Sequence, residues 1–170
     1  IAVGRLVKQK QFDLIVRAFS DVFKVLDNIT LTIVGDGEEK ENIKKIVKEL
    51  NLDDKVILTG TLSREDTAQI VSESDCLICY STFETFGVPV IEAWACGLPT
   101  ISTTSCAVLD KMNERLGIEI SPDDIDNLKS AMTYIYNHYD EYDKSIIVNY
   151  TLTHFSEEII GNQLLELYHH

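Results

Sequence analysis

Short apolar runs alternate with longer amphipathic segments along most of this chain, and this alternation limits the possible folds more than any other feature. The apolar runs predict strands at residues 1–3, 31–34, 56–59, 76–80, 100–102 and 116–120. Apolar residues at helical spacing predict helices between them, at residues 12–26, 39–50, 63–72 and 89–95. Strands that alternate with helices form a parallel sheet covered on both faces. We therefore predict an α/β fold with a Rossmann-like parallel sheet and helices on both faces.

The C-terminal part of the chain is predicted to be helical. Ser121 is the expected N-cap of a further helix, with Pro122 in its first turn. No linker rich in Gly, Pro or Ser divides the chain, so residues 1–137 are interpreted as one domain and residues 138–168 as a helical tail. Apolar side chains share one face of this tail, and we expect something outside the chain to cover them: Ile159, Ile160, Leu164 and Leu167. The two final histidines resemble the remnant of a purification tag and are left out.

The balance of charge excludes some classes of partner. The net charge of −13 argues against nonspecific nucleic-acid binding and against broad attachment to anionic lipid, since both need a basic surface. A local group of cations, formed by Arg5, Lys8 and Lys10, could still bind a small anion. No apolar run is long enough to cross a bilayer, and no signal peptide is evident. We expect a cytoplasmic protein, and we expect sequence to precede Ile1, which is not a natural initiator.

Cys76 and Cys79 have the spacing of a redox or metal-binding pair. They lie in an apolar run, however, and side chains three residues apart point to opposite faces of a strand. The two residues are therefore predicted to be buried reduced thiols.

The most informative segment follows the fourth predicted strand and opens a helix, so it lies at the carboxyl edge of the sheet, where α/β folds bind ligands. Gly87 allows the backbone to approach a ligand closely, and Pro89 presets helical geometry. The amides of Phe86, Gly87 and Val88 are then expected to point outward at a helix N-terminus. Such amides and the helix dipole suit a phosphate or a sugar hydroxyl.

Two carboxylates flank this turn. Glu92 is expected in the first turn of the helix, where it could accept hydrogen bonds from two ribose hydroxyls, and Glu84 precedes the turn. A simpler interpretation makes Glu92 a partner of the helix dipole and Glu84 a solvated loop residue.

In combination with other landmarks, these residues resemble the signature of retaining glycosyltransferases with the GT-B fold, particularly family four. The landmarks are Gly4-Arg5-Leu6 with Lys10, Gly35-Asp36-Gly37, Gly60, the pair Glu84 and Glu92, and the run from Glu92 to Pro99. They occur in the order of the family pattern and on the matching elements. The resemblance implies the C-terminal, donor-binding lobe of that fold, whose final helices cross back towards an N-terminal lobe.

The resemblance also implies roles for individual residues. Arg5 and Lys10 would bind the donor pyrophosphate and offset charge on the departing diphosphate, and Glu84 would lie near the transferred sugar with its chemical role open. Glu92 would hold the ribose hydroxyls. The remaining nucleotide-sugar contacts would come from Gly4, from the Phe86, Gly87 and Val88 amides, and from Thr61 and Leu62 near the base.

Other expectations concern cofactors and partners. No Asp-x-Asp lies at a convincing strand end, so we expect no cofactor and no divalent-metal requirement. The acceptor, a glycan or a lipid-linked molecule, would bind an N-terminal lobe that is expected to be missing, and that lobe could carry peripheral membrane association. The segment from Thr103 to Val108 lacks the glycines usual in the family, which puts the sugar part of the site in doubt.

The leading hypothesis is the donor lobe of a glycosyltransferase that adds a hexose-type sugar, with retention, to a surface polysaccharide or glycolipid. The isolated lobe is expected to be inactive. Two alternatives stay open: a nucleotide-sugar epimerase of the same fold, and a binding module that keeps the fold without transfer.

Overall fold

A computed structural model describes residues 1–26, 28–104, 106, 108 and 112–168. Within these residues the strands are β1 (Ala2–Val3), β2 (Leu31–Val34), β3 (Val56–Gly60), β4 (Leu77–Cys79), β5 (Thr100–Thr103) and β6 (Gly117–Ile120). The α-helices are α1 (Phe12–Phe23), α2 (Lys40–Glu49), α3 (Arg64–Ser72), α4 (Val88–Ala95), α5 (Ile125–Asn137), α6 (Lys144–Phe155) and α7 (Glu157–Tyr168). Short 3-10 helices lie at Lys8–Lys10 and Tyr139–Glu141.

The strands are parallel and form two ladders, β1-β2-β3 and β4-β5-β6. Ile1 joins them, because its nitrogen donates to the Cys76 carbonyl and its carbonyl accepts from the Ile78 amide, both at 2.8 Å. The strand order across the joined sheet is therefore β3-β2-β1-β4-β5-β6. This order reverses between β1 and β4, and the carboxyl ends of these two strands border the crevice where such sheets bind ligands.

Helices cover both faces of the sheet, as predicted. The core on one face contains buried side chains from α1, α2 and α5, such as Ile15 and Leu128. The core on the other face contains side chains from α3, α4 and α6, such as Trp94 and Ile147. Cys76 packs against the first core and Cys79 belongs to the second, so the two thiols lie on opposite faces. The structure confirms the predicted fold class.

The tail begins with a helix that is anchored to α4. The fully buried indole of Trp94 donates to Thr100 Oγ1 and to the Leu116 carbonyl, both at 3.1 Å. Tyr150 of α6 packs edge-to-face against the same indole, with 6.1 Å between ring centroids. In α7, by contrast, no residue is buried, and its large exposed apolar side chains include Ile160, Leu164 and Leu167.

Several predicted boundaries were wrong by a few residues. Helix α1 ends at Phe23 instead of residue 26. The tail is helical, as predicted, and contains two helices separated at Ser156, whose backbone is extended. The N-cap of α5 is Asp124 and not Ser121, because Asp123 takes a left-handed backbone with φ 61°. The Asp124 carboxylate then accepts from the Asn127 amide at 2.9 Å. Across the described ranges, no helix has the length and apolar character needed to cross a membrane.

Candidate functional site

Three loops lie side by side at the carboxyl edge of the first ladder. The Gly4 loop follows β1, and its Leu6 amide donates to the Asp36 carbonyl at 2.9 Å. The Gly35 amide donates to the Gly60 carbonyl, also at 2.9 Å. Gly35 has φ 140°, and a Cβ at this position would collide with the Gly4 carbonyl oxygen, so only glycine allows the first two loops to approach so closely. The predicted glycine landmarks therefore form one continuous rim.

An ion pair spans the crevice between β1 and β4. The Lys10 ammonium contacts the Glu84 carboxylate, and the two side chains are only 18% and 12% exposed. The surrounding loops are also bonded directly, since the Thr82 amide donates to the Gln9 carbonyl at 2.9 Å. The structure thus brings together two residues that the sequence identified separately, 74 positions apart.

Arg5 and Lys8 lie on the same rim but are exposed. Among the described residues, neither side chain has an ion pair, whereas Lys10 is paired with Glu84. The charge of Arg5 is therefore available to an anion from solution, while that of Lys10 is partly compensated inside the protein.

The turn before α4 forms a helix N-terminus, where the sequence predicted one. Gly87 is the N-cap of α4, with φ 93°, and no side chain caps this helix. No hydrogen bond of the described part of the chain uses the amides of Phe86, Gly87 or Val88 as donors. From the inner side the turn is fixed by Val108, whose amide donates to the Phe86 carbonyl at 3.0 Å, and by the Cys106 thiol, which donates to the same carbonyl at 3.2 Å.

The predicted place of Glu92 in the first turn of the helix was wrong. Because α4 begins at Val88, Glu92 is its fifth residue and lies in the second turn. It is exposed and shares the outer face of the helix with Val88, four residues earlier, while Val90 and Trp94 face the core. Because the helix starts one residue earlier than predicted, the Glu92 carboxylate lies about 1.5 Å further along the helix axis from the first residue than expected.

The loop after β3 carries the remaining predicted residues. Thr61 is exposed, whereas Leu62 is partly buried and packs against the core that contains Trp94. Ser63 caps α3, accepting from the Asp66 amide at 3.0 Å. Only Thr61 and the backbone of this loop are thus well placed to meet a ligand.

Sequence reasoning missed two further polar contacts at this edge. Lys40 pairs with Asp36 at 2.5 Å, close to Gly60, and Gln11 donates to Asp123 at 2.5 Å. The first pair has the i,i+4 spacing that could have indicated it. The second joins residues 112 positions apart, and no local pattern indicates it.

The thiol of Cys79 interacts electrostatically with both Lys10 and Glu84. A hydrogen bond with the Cys106 thiol, together with burial, raises the pKa of Cys79 well above its usual range, so this thiol stays protonated. Burial raises the pKa of Cys76 to about 12. All four cysteines are free, which agrees with reduced thiols.

Two cavities lie apart from the candidate site residues named above. One, of about 1010 Å³, follows β6 and α5, and another, of about 520 Å³, lies where β2 and β4 begin. Neither is lined by Lys10, Glu84 or Glu92. The candidate site is thus defined by the charges and free amides of the loops.

Some of the predicted site lies outside the described residues. In the segment from Thr103 to Val108, this applies to Ser105 and Ala107, so the altered sugar loop stays a prediction. Within the described ranges, no group of three or more His, Cys, Asp or Glu side chains could hold a metal ion. The final two histidines also lie outside these ranges.

A Rossmann-like sheet with free amides and cations at its central crevice defines a class of proteins that bind phosphorylated ligands. Within that class, the sequence profile of the family described as glycosyl transferases group 1 matches residues 1–150. The chain belongs to this family, and its fold is that of the C-terminal lobe of GT-B glycosyltransferases, as the sequence predicted.

Relatives and solved structures agree with this assignment. The chain is 32% identical over 102 residues to an alpha-monoglucosyldiacylglycerol synthase of Streptococcus pneumoniae, which covers 60% of this chain and 23% of that protein. It resembles the pneumococcal O-GlcNAc transferase GtfA, solved in complex with UDP and GlcNAc, with a TM-score of 0.85 at 22% identity, over 99% of this chain and 35% of that one.

A third similar structure is that of a C-terminal domain solved by itself. The C-terminal domain of a glycosyl transferase group 1 family protein (LpcC) from Francisella tularensis matches with a TM-score of 0.83 at 18% identity, over 92% of this chain and 85% of that one. The chain spans only between 23% and 29% of the length of the first curated relatives that it matches.

Proposed function

We propose that this chain is the part of a glycosyltransferase that binds the nucleotide-sugar donor. The observation that carries the proposal is that the uncapped N-terminus of α4 lies on the same edge of the sheet as Arg5 and Lys10. Family membership supports it, and UDP is present in the solved structure of the related fold.

The diphosphate would lie between the cations of the Gly4 loop and the free amides of Phe86, Gly87 and Val88. Negative charge grows on the leaving diphosphate as the bond to the sugar breaks, and fixed cations and amides that face it lower the energy of that transition state. Arg5, which has no ion pair within the described residues, supplies uncompensated positive charge. Gly4 allows the diphosphate to come close to the backbone.

The ribose would lie beside Glu92, one helical turn beyond the amides that hold the phosphate. A carboxylate can accept hydrogen bonds from two neighbouring hydroxyls. The base would lie near Thr61 and the backbone of Leu62. Glu84 would lie near the transferred sugar, a hexose-type unit, with its charge balanced by Lys10.

The remaining parts of the reaction rest on the family resemblance. We propose transfer with retention, in the cytoplasm, to a glycan or lipid-linked acceptor held by an N-terminal lobe. That lobe could also carry peripheral membrane association, and the exposed apolar side chains of α7 are suited to pack against it. We propose that Arg5, Lys10 and the amides handle the diphosphate without a divalent metal.

The test is calorimetric titration of the 170-residue chain with UDP-, GDP- and ADP-sugars, with and without EDTA. We expect one nucleotide to bind selectively and with the same affinity in both conditions. Binding of none of the three by a folded chain would overturn the proposal. A Kd that rises sharply in EDTA would overturn metal independence alone.

A further inference from the structure

We propose that Asp123 is a positioning residue for the diphosphate end of the donor site, acting through Gln11 on the turn that carries Lys10. This inference rests on the proposed function. It concerns a contact between the first and last loops of the carboxyl edge, which the family pattern does not supply.

Gln11 is placed to control the position of Lys10. It follows Lys10 directly and is the N-cap of α1, with its carbonyl accepting from the Leu14 and Ile15 amides at 3.0 and 3.2 Å. Its side-chain Nε2 donates to Asp123 Oδ1 at 2.5 Å. Asp123 lies between β6 and α5, so this contact attaches the Lys8–Lys10 turn to the far side of the sheet edge.

Both partners hold a left-handed backbone conformation, which aspartate tolerates but glutamine disfavours. Gln11 has φ 45° and Asp123 has φ 61°, in the left-handed region. Among the described residues, the other non-glycine positions of this kind are Asn28 and Asn51, and asparagine tolerates the conformation best. Glutamine is not such a residue, so its presence at this position needs another reason.

The side-chain amide of Gln11 also lowers the stability of the protein. Its Oε1 is buried and accepts no hydrogen bond from the described part of the chain. An unpaired buried acceptor and a strained backbone at Gln11 lower stability, and they meet in a single residue of this contact. When a contact at the border of a binding site lowers stability, we expect that contact to position a residue of the site.

Lys10 is thereby restrained on two sides. On one side, the Glu84 carboxylate holds its ammonium. On the other side, the Gln11–Asp123 contact holds the backbone that follows it. Without Asp123, the turn would keep its contacts with Thr82 and Glu84 but lose its attachment to the loop after β6, and the ammonium would be held less firmly relative to the diphosphate.

The test is the variant Asp123→Gly, compared with wild type in titrations with UDP and uridine and in thermal unfolding. Glycine accepts φ 61° without strain, so we expect an unchanged or higher Tm. We expect the Kd for UDP to rise about three- to tenfold, the effect of losing one charged contact, and the Kd for uridine to stay constant. Asn51→Gly is the matched control, because it relieves the same kind of strain at an exposed position after α2 and should change neither Kd.

Two more variants separate positioning from simple structural support. Asp123→Asn keeps the acceptor oxygen and should keep UDP affinity. In Gln11→Gly combined with Asp123→Gly, the loss should be no larger than in Asp123→Gly alone, because both changes remove one contact. An Asp123→Gly variant that binds UDP as wild type does, or that loses UDP and uridine equally, would overturn this inference. Wild type that binds no nucleoside diphosphate would instead overturn the proposed function, and this inference with it.

Discussion

The ammonium of Lys10 bonds to the carboxylate of Glu84 and so links the loop after β1 to the loop after β4. In the free protein this pair compensates a charge that a diphosphate would otherwise meet. We expect Glu84→Gln, which keeps the shape but removes the charge, to lower the Kd for UDP about two- to tenfold, and Lys10→Met to raise it by at least as much. Calorimetry on the two variants measures both effects. Weaker UDP binding by Glu84→Gln would show that Glu84 orients Lys10 rather than competing with the ligand.

Arg5 is expected to act on the diphosphate alone. Replacing it with alanine should weaken UDP binding by about 1–3 kcal/mol, the loss of charged hydrogen bonds, and leave uridine binding nearly unchanged. Arg17, exposed on α1, is the matched control, and its replacement with alanine should affect neither ligand. Equal losses of UDP and uridine affinity in the Arg5 variant would contradict the assignment of Arg5 to the diphosphate.

Glu92 is expected to act on the ribose, which UDP and uridine share. The change Glu92→Ala should therefore weaken both ligands by a similar ~1–3 kcal/mol. Glu49, exposed at the end of α2 and thus near the opposite edge of the sheet, provides the control as Glu49→Ala. The comparison of 2′-deoxyuridine with uridine completes the measurement, since the variant should no longer distinguish them. If it still does, another group holds the ribose.

Gly87 combines two constraints, a left-handed φ of 93° and a lack of space for a Cβ, which would meet the Cys106 thiol. We expect Gly87→Ala to lower the free energy of unfolding by about 1–3 kcal/mol and to abolish measurable UDP binding. Gly161 in α7 has no atom within 4 Å of the Cβ position, so Gly161→Ala is the control. It should raise stability by about 0.5–1 kcal/mol, because alanine favours a helix. Urea denaturation measures the free energy of unfolding of both variants. A Gly87→Ala variant as stable as wild type would contradict the geometry of the turn.

Stability should fall at high pH because of Cys76. Burial raises its pKa to about 12, so between pH 9 and 11 the unfolded chain loses a proton that the folded chain keeps. The unfolded state then binds fewer protons, and the free energy of unfolding decreases with rising pH, by up to ~1 kcal/mol per pH unit from this group. Cys76→Ala should show a flatter decrease than Cys96→Ala in urea denaturation at pH 8, 9, 10 and 11. Identical slopes would mean that Cys76 contributes no more to this decrease than Cys96 does.

The sequence predicted those features that arise from local patterns. Buried parallel strands are continuous apolar runs, and tight loops require glycine, so the sheet and the Gly35 and Gly60 loops could be placed in advance. The predicted position of Glu92 in the helix was wrong because Pro89 was taken to mark the start of the helix. The helix begins one residue earlier, at Val88. A shift of one residue is enough to move a carboxylate from the first to the second turn.

Long-range contacts were beyond prediction for a physical reason. Lys10 and Glu84 were both identified, but their direct contact depends on the adjacency of β1 and β4, which are separated by two other strands in sequence. The contact between Gln11 and Asp123 requires a left-handed backbone at both residues, which aspartate tolerates but glutamine disfavours. Local propensity argues against this conformation at Gln11, and only the packed fold overrides that propensity.

The two ladders of the sheet meet at Ile1, through hydrogen bonds to Cys76 and Ile78. The cations of the proposed site belong to loops of one ladder, whereas Glu84, Glu92 and the α4 amides belong to the other. A donor molecule bound to both sets of residues would link the two ladders across the middle of the sheet. Binding of the donor would then suppress local opening of β1 and β4, and hydrogen exchange at their amides would become slower. The bound substrate would in this way make the middle of the sheet more rigid.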